Sequence, residues 1–506
     1  MAAQGAFALG KSSPDLFRRR VLWIALAVMA VFTLSYLSHQ RHEDLQTANP
    51  LAVSPAHESE KVEEVGEGED MEQMEQLETM EPEPTWTFVT GRDDMNYGLT
   101  DEQCDIAFPL LYQELDRARD HLVELNRTIK ERDVHVDRKG SYDGRTHGEF
   151  QCMIHDGEVS QLLLSAFPFS YSNFTTTLTD LQQLYVIKEV HGEPDRSRGL
   201  AALANMYRAI SSMGDARRLI PNVEFTFDIE DIAMEGEHNK ERIRWTWARP
   251  KENPWLWPMP DFDGWSYPDD GVASYVQFRE DVAELETNFT RGWYDKPQQL
   301  SWRGSFAQNG DLRRALVKAA SGKSWSDVKP IDWHDRKDLM NMQDFCKFQY
   351  VAHTEGNSWS GRLRYLHICD SVPIIHKLNY NAHYYPLLIA SGPNQNYVEV
   401  NRNFSDLVPK MEELLADPER ARAIAAESTR VFRDRYLTPA AEACYWRRMF
   451  RTWRSVMDFE PKTYYIHKDG TRKRRGVSWE RFSFRQEKSF EHGFFVEDKI
   501  KDEEPE

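Results

Sequence analysis

Seventeen uncharged residues in a row, VLWIALAVMAVFTLSYL from Val21 to Leu37, set the first limit on what this chain can fold into. A helix of that length is at the lower edge of what spans a bilayer. Arg18, Arg19 and Arg20 precede the run, and acid accumulates after it. The positive-inside bias therefore places the N-terminus in the cytosol and the bulk of the chain in a lumen. A cleaved signal peptide would carry a shorter apolar region closed by small residues, and no A-x-A pattern follows Leu37. The expected layout is a cytosolic tail over 1–20, a transmembrane signal anchor over 21–38 and an acidic lumenal stem over 39–94. From Glu43 to Glu83 fourteen acids face the single base Lys61, and no aromatic residue occurs. Such a stretch buries too little surface to offset chain entropy and is expected to form a disordered stalk.

Beyond Trp86 the aromatic content rises, and the chain's 15 Trp, 20 Tyr and 26 Phe are enough for the cores of two domains. The formal net charge of −19 argues against a nucleic-acid partner, which needs a basic face to neutralise phosphates. N-x-S/T triplets at Asn126, Asn173, Asn288 and Asn403 agree with a lumenal location. Cys104, Cys152, Cys346, Cys369 and Cys444 allow two disulfides and one leftover thiol in an oxidising compartment, and there is no C-x-x-C pair. A single-pass type II protein of the Golgi or endoplasmic reticulum membrane, with its catalytic part lumenal, fits these signs.

Helix and strand signals alternate through the globular part, which favours an α/β fold. Val223, Phe225, Phe227 and Ile229 recur at period two, a strand pattern that delivers Glu230 and Asp231 at its carboxyl end. Lys347 to His353 reads as a second strand, followed by a loop of small residues and a helical stretch from Gly361 to Cys369, with Ser358 or Ser360 as N-cap. Ser371 to Ile375 then closes a βαβ unit. A strand, a small-residue loop and a helix start together form an anion cradle, because free backbone N–H groups and the helix dipole face the loop. Trp302, Arg303, Gly304 and Ser305 follow another strand and precede a helix from Asp311 to Lys318. Farther on, helical periodicity from Pro409 to Tyr436 breaks near Pro418, and Thr438-Pro439 opens a helix whose Tyr445, Met449, Trp453 and Val456 share one face. The basic stretch KDGTRKRR, Lys468 to Arg475, has no assigned role.

Arg303 and Arg362, from two separate loops, have the chemistry to face one diphosphate, although ordinary surface ion pairs explain them equally well. Asp231 alone suits a helix cap or an ion pair better than a general base. Taken jointly, these residues suggest sugar transfer from a nucleotide diphosphate: cations stabilise the departing diphosphate while a carboxylate opposite takes the acceptor's proton, and direct displacement inverts the anomeric centre.

The stretch from about residue 221 to 459 resembles the fungal capsule-associated glycosyltransferases of glycosyltransferase family 90, relatives of animal protein O-glucosyltransferases. The likeness rests on WRGS at Trp302 to Ser305, CKFQY at Cys346 to Tyr350, EGNSWSGRLR at Glu355 to Arg364, CDS at Cys369 to Ser371, NYV at Asn396 to Val398, FSDL at Phe404 to Leu407 and CYW at Cys444 to Trp446, in the family's order. The resemblance implies a GT-B-like arrangement, two Rossmann-like halves facing a cleft, with an acceptor side over 95–297, a nucleotide-sugar side over 298–460 and a C-terminal extension over 461–506. It makes Asp231 the general base and gives donor binding to Arg303, Ser305, Asn357, Ser358, Ser360 and Arg362. It also implies a Cys346–Cys369 bridge, with Cys444 reaching back to Cys104 or Cys152.

The chain departs from the family pattern in several places. Asp228 and Glu230 neighbour the candidate base, Glu355 stands where many fungal members have Asp, Gly361 where others have Ala or Phe, and the NYV segment lacks the family's His and Pro. The insertion from Trp245 to Tyr267, with five Trp and four Pro, reads first as a rigid core-packing loop and second as an acceptor wall. Asp261, Asp263, Asp269 and Asp270 resemble metal-holding D-x-D triplets, but solvated turn acids explain them more simply, so no metal or other cofactor is expected. The leading expectation is an inverting glycosyltransferase moving xylose or glucose from a UDP-sugar to a glycan or glycoprotein acceptor. A catalytically silent glycan- or UDP-binding protein and a glycosidase using Asp228 with Asp231 are the alternatives.

Overall fold

The computed structural model describes residues 86–136, 148–156, 182–190, 196–231, 241–267 and 271–484. The expected cytosolic tail and signal anchor, the stem as far as residue 85, the Asn173 triplet and Asp269-Asp270 lie outside these residues; residues 86–94, expected as the end of a disordered stem, instead pack on the folded part, with Trp86 and Phe88 against its core and Asp93 buried. Among the described residues no helix is long and apolar enough to cross a membrane.

The first sheet contains β1 (Glu149–Asp156), β2 (Gln182–Val190), β3 (Val223–Asp228), β4 (Arg244–Thr246) and β6 (Leu256–Pro258), while β5 (Ala248–Pro250) pairs elsewhere. In it β1 runs antiparallel to both β2 and β3, whereas β3, β4 and β6 are mutually parallel. The N-terminal half is therefore a mixed sheet and not the Rossmann-like half expected of it. Strand β3 appears where the period-two alternation puts it, but both of its faces are buried. Its polar side chains have partners inside: Thr226 donates to the Val134 carbonyl at 2.6 Å, and Glu224 takes a bidentate contact from Arg475 at 2.7 and 2.9 Å. The basic stretch left without a role thus supplies the counter-charge for a carboxylate in the sheet. A hairpin of β13 (Tyr464–Ile466) and β14 (Arg472–Arg474) precedes Arg475, and β15 (Val477–Ser478) then pairs with β2 as the edge of the first sheet.

The second sheet holds β7 (Leu300–Gly304), β8 (Ser326–Pro330), β9 (Tyr350–His353), β10 (Val372–His376) and β12 (Val398–Val400), and β11 (Tyr380–Ala382) pairs with β5. All four of its pairings are parallel. The order β12-β10-β9-β7-β8 makes β7 and β9 neighbours with β8 and β10 on opposite sides. Loops leaving β7 and β9 consequently diverge, opening the crevice at which α/β sheets place ligands. The expected βαβ unit is present, though α6 is limited to Arg362–Leu366 and is capped by Gly361 without a side-chain bond, not by Ser358 or Ser360. Number the helices before it α1 (Asp101–Ala107), α2 (Gln113–Glu124), α3 (Arg196–Ser211), α4 (Tyr275–Glu286) and α5 (Gly310–Ala320); α7 (Leu407–Ala416) and α8 (Pro418–Ser428) follow it, parted at Pro418 as expected.

Helix α9 (Pro439–Arg454) starts as its sequence dictates, with the Thr438 hydroxyl accepting from the Ala441 N–H and Pro439 in the first turn. It packs against the first sheet. Trp453 meets Trp245 and Trp257 edge-on at 5.4 and 5.1 Å, and Phe225 stacks on Trp245 at 3.9 Å. Trp245, Trp247 and Trp257 are therefore core residues, and of that insertion only Phe262, Asp263 and Tyr267 reach the cavity described below. Disulfides join Cys346 to Cys369 and Cys104 to Cys444, while Cys152 is a buried free thiol. The two partners open to Cys444 are thereby decided in favour of Cys104.

Candidate active site

At the carboxyl ends of β7 and β9 lies a cavity of 390 Å³. Arg303, Gly304 and Ser305 enter it from the end of β7, Arg313 from the first turns of α5, and Gly356, Asn357, Ser360, Gly361 and Arg362 from the loop after β9. Arg198 and Asp231 line it from the other sheet's side. Two distant loops and the aspartate past β3 thus share one space, as the sequence pattern requires.

Within that space the arginines differ. The Arg303 guanidinium is held by Asp327 at 2.8 Å and donates to the Trp302 and Asp338 carbonyls at 2.9 and 3.0 Å, so its hydrogen-bonding capacity is largely spent inside the protein. Arg362 donates to the Arg303 carbonyl, and Arg313 donates to the Ser305 carbonyl at 2.8 Å. Neither makes an ion pair with a described carboxylate, and the buried Nε of each lacks a hydrogen-bond partner. Burial, followed by the charge of Arg313, pushes the Arg362 guanidinium down to about 10, and burial lowers Arg313 as well. Two like charges kept together without a described counter-ion have the chemistry to receive an anion. Arg313, which sequence reasoning did not single out, lines the cavity together with Arg303 and Arg362. On a helical pattern it looks like any solvated arginine; only the tertiary arrangement brings it beside Arg362.

Asp231 follows β3 at the cavity wall. Its carboxylate pairs with Arg198 at 3.0 Å and accepts from Asn357 Nδ2 at 3.2 Å, which fixes its orientation. Its two acidic neighbours do not compete for the cavity. Asp228 is fully buried under β3, with Arg244 at 3.9 Å, and Glu230 accepts from the Gly148 N–H at 3.0 Å. An Asp228–Asp231 carboxylate pair for glycoside hydrolysis is therefore not assembled in the cavity.

The remaining candidates divide. Ser305, Asn357 and Ser360 line the cavity, Ser305 accepting from the Ala307 N–H. Ser358 does not line it: its buried hydroxyl donates to the Asp231 carbonyl and so steadies the base candidate from behind. Glu355 is also turned inward, accepting from the Asn379 and Tyr380 N–H groups at 2.9 and 3.0 Å and from Arg402.

Asp261 and Asp263 are not solvated turn acids; both are buried. Asp261 lies 3.2 Å from Arg364, which also binds Glu442 at 2.7 Å. Burial first, and the charge of Asp261 second, hold the Asp263 carboxyl well above the usual carboxylate range. Among the described residues no group of three or more His, Cys, Asp and Glu side chains is arranged to hold a metal ion.

Fold and cavity together define an α/β protein with an arginine-lined cleft at the switch point of a parallel sheet. The chain matches the family Glyco_transf_90, glycosyl transferase family 90, over residues 207–470, just over half of its length, and it belongs to that family. It is also similar to protein O-glucosyltransferase 3 of Mus musculus and of Rattus norvegicus, each 26% identical over 182 residues that cover 34% of this chain and 35% of the relative. The Homo sapiens protein of that name is 25% identical over 191 residues, 36% of this chain and 37% of its own. The chain spans about a third of the length of these curated relatives.

Proposed function

We propose that this protein is an inverting glycosyltransferase that moves glucose or xylose from a UDP-sugar to a hydroxyl of a glycan or glycoprotein in the secretory pathway, anchored in the endoplasmic reticulum or Golgi membrane through residues 21–38. The observation that carries this reading is the pair of half-buried guanidinium groups of Arg313 and Arg362, without described carboxylate partners, in one cavity with the oriented carboxylate of Asp231. Breaking the bond from sugar to diphosphate leaves negative charge on the diphosphate, and cations already in place stabilise it without reorganising. Asp231 then accepts the proton of the attacking hydroxyl, its orientation set by Arg198 and Asn357. Displacement from the side opposite the departing diphosphate inverts the anomeric carbon. Ser305, Asn357 and Ser360 contribute hydrogen bonds to the donor, and Arg303 and Ser358 position the groups that touch it. Family membership and the O-glucosyltransferase relatives support the reaction type and favour glucose among donors.

The test is UDP binding and UDP release from UDP-glucose and UDP-xylose by the purified full-length chain, with and without EDTA. Because side-chain cations supply the neutralisation, EDTA should leave turnover unchanged. Asp231→Asn should keep UDP affinity while losing roughly 10²–10⁴ in kcat. Undiminished transfer in that variant would remove Asp231 from the mechanism.

A further inference from the structure

One side chain in the cavity is accounted for neither by the cation pair nor by Asp231. Asp263 lines the cavity, is fully buried, and has an Oδ2 without a hydrogen-bond partner, while Tyr365 Oη donates to its Oδ1 at 3.3 Å. Gly361 makes room for it. A Cβ built on Gly361 would lie 1.6 Å from Asp263 Oδ2, so a side chain at 361 and this placement of the carboxyl exclude each other.

The position is informative because both functional ends adjoin it. Gly361 leads into Arg362, one of the anion-receiving cations. On the other side Phe262, next in sequence to Asp263, lies under the Arg198 guanidinium at 5.2 Å, and Arg198 holds Asp231. A sugar linking a diphosphate to an attacking hydroxyl must lie between those two ends. Burial, and then the charge of Asp261, shift the Asp263 carboxyl toward its protonated form, in which it can donate as well as accept. An unpaired polar group facing a site discriminates strongly between ligands with and without the matching hydroxyl, since the mismatched ligand leaves it unsatisfied.

We propose that Asp263 hydrogen-bonds the exocyclic 6-hydroxyl that glucose carries and xylose lacks, and thereby selects the donor's sugar. This rests on the UDP-sugar reading of the cavity. Dissociation constants for UDP, together with kcat and KM for UDP-glucose and UDP-xylose, would be measured on the full-length wild type, Asp263→Ala and Asp263→Asn. Both variants should bind UDP within about 2-fold of wild type. Asp263→Ala should raise KM for UDP-glucose by roughly 10-fold or more, leave KM for UDP-xylose within about 2-fold, and so narrow the glucose-to-xylose ratio. Asp263→Asn should stay within about 3-fold, because an amide offers a donor and an acceptor in the same place. An unchanged sugar preference in Asp263→Ala overturns the proposal. Equal loss in both variants also overturns it, by making charge the relevant property, and so does loss of UDP binding in both, which would make the acid a support of the cavity wall. A wild type that binds no UDP would instead remove the donor reading, and this inference with it.

Discussion

Arg362 and Arg303 are linked through a main-chain carbonyl, and their side chains serve different purposes. Each of Arg313 and Arg362 holds charge in a half-buried place at a desolvation cost that a bound anion would relieve. Arg313→Ala and Arg362→Ala should therefore each weaken UDP binding by about 10- to 100-fold, the worth of charge-assisted hydrogen bonds, with thermal midpoints held or raised. Arg303→Ala should act through the fold. It leaves Asp327 with Lys329 at 3.2 Å as its remaining cation and should destabilise by roughly 1–3 kcal/mol, so that differential scanning fluorimetry reports the change before titration with UDP does. Motif spacing can find Arg362 and Asp231, since both sit just beyond strand ends that the residue pattern makes visible. It cannot separate Arg313 from other helical arginines, nor reveal that Gly361 and Asp263, about a hundred residues apart, fill one another's space.

Strand β3, the βαβ unit from β9 to β10, and helix α9 are legible from periodicity and capping because each buries a regular apolar pattern. Less visible is that α6 makes little more than one turn. So short a helix contributes little dipole, which moves anion recognition from the helix end to the guanidinium groups. The helix is kept in place by the Cys346–Cys369 bridge, which ties its far end to the turn before β9 across a separation of 23 residues. Replacing both cysteines with serine should cost about 3 kcal/mol, as expected for closure of a loop of that size. It should also lower UDP affinity, since the bridge flanks the segment that carries Arg362. Chemical denaturation and UDP titration of the double variant check the two effects separately.

Across the molecule, buried titratable groups oppose one another. Burial lowers His367 to about 3 and His376 to about 4, so the unfolded chain takes up protons below pH 6.5 that the folded one refuses, and stability falls on acidification from about pH 6.5. Burial raises Asp228 to about 7, which works the other way: the folded state keeps a proton that the unfolded state releases, and stability falls as pH rises from about 4 to 7. Asp228→Asn should accordingly steepen the loss of stability between pH 7 and pH 5, and its advantage over wild type should grow by roughly 1–3 kcal/mol from pH 5 to pH 8, read from urea midpoints. The mixed first sheet is the part of the architecture least legible in advance, because its edge strand and the partner of Glu224 both come from beyond residue 470, where the residue pattern shows only charge. That arrangement fixes an order of events during synthesis. While the ribosome is still delivering the second sheet, the first has an open edge and an acid inside it without its arginine, so the first sheet, although begun earlier, is the later of the two to close. A chaperone would meet it as a late-closing client, completed only when β15 emerges.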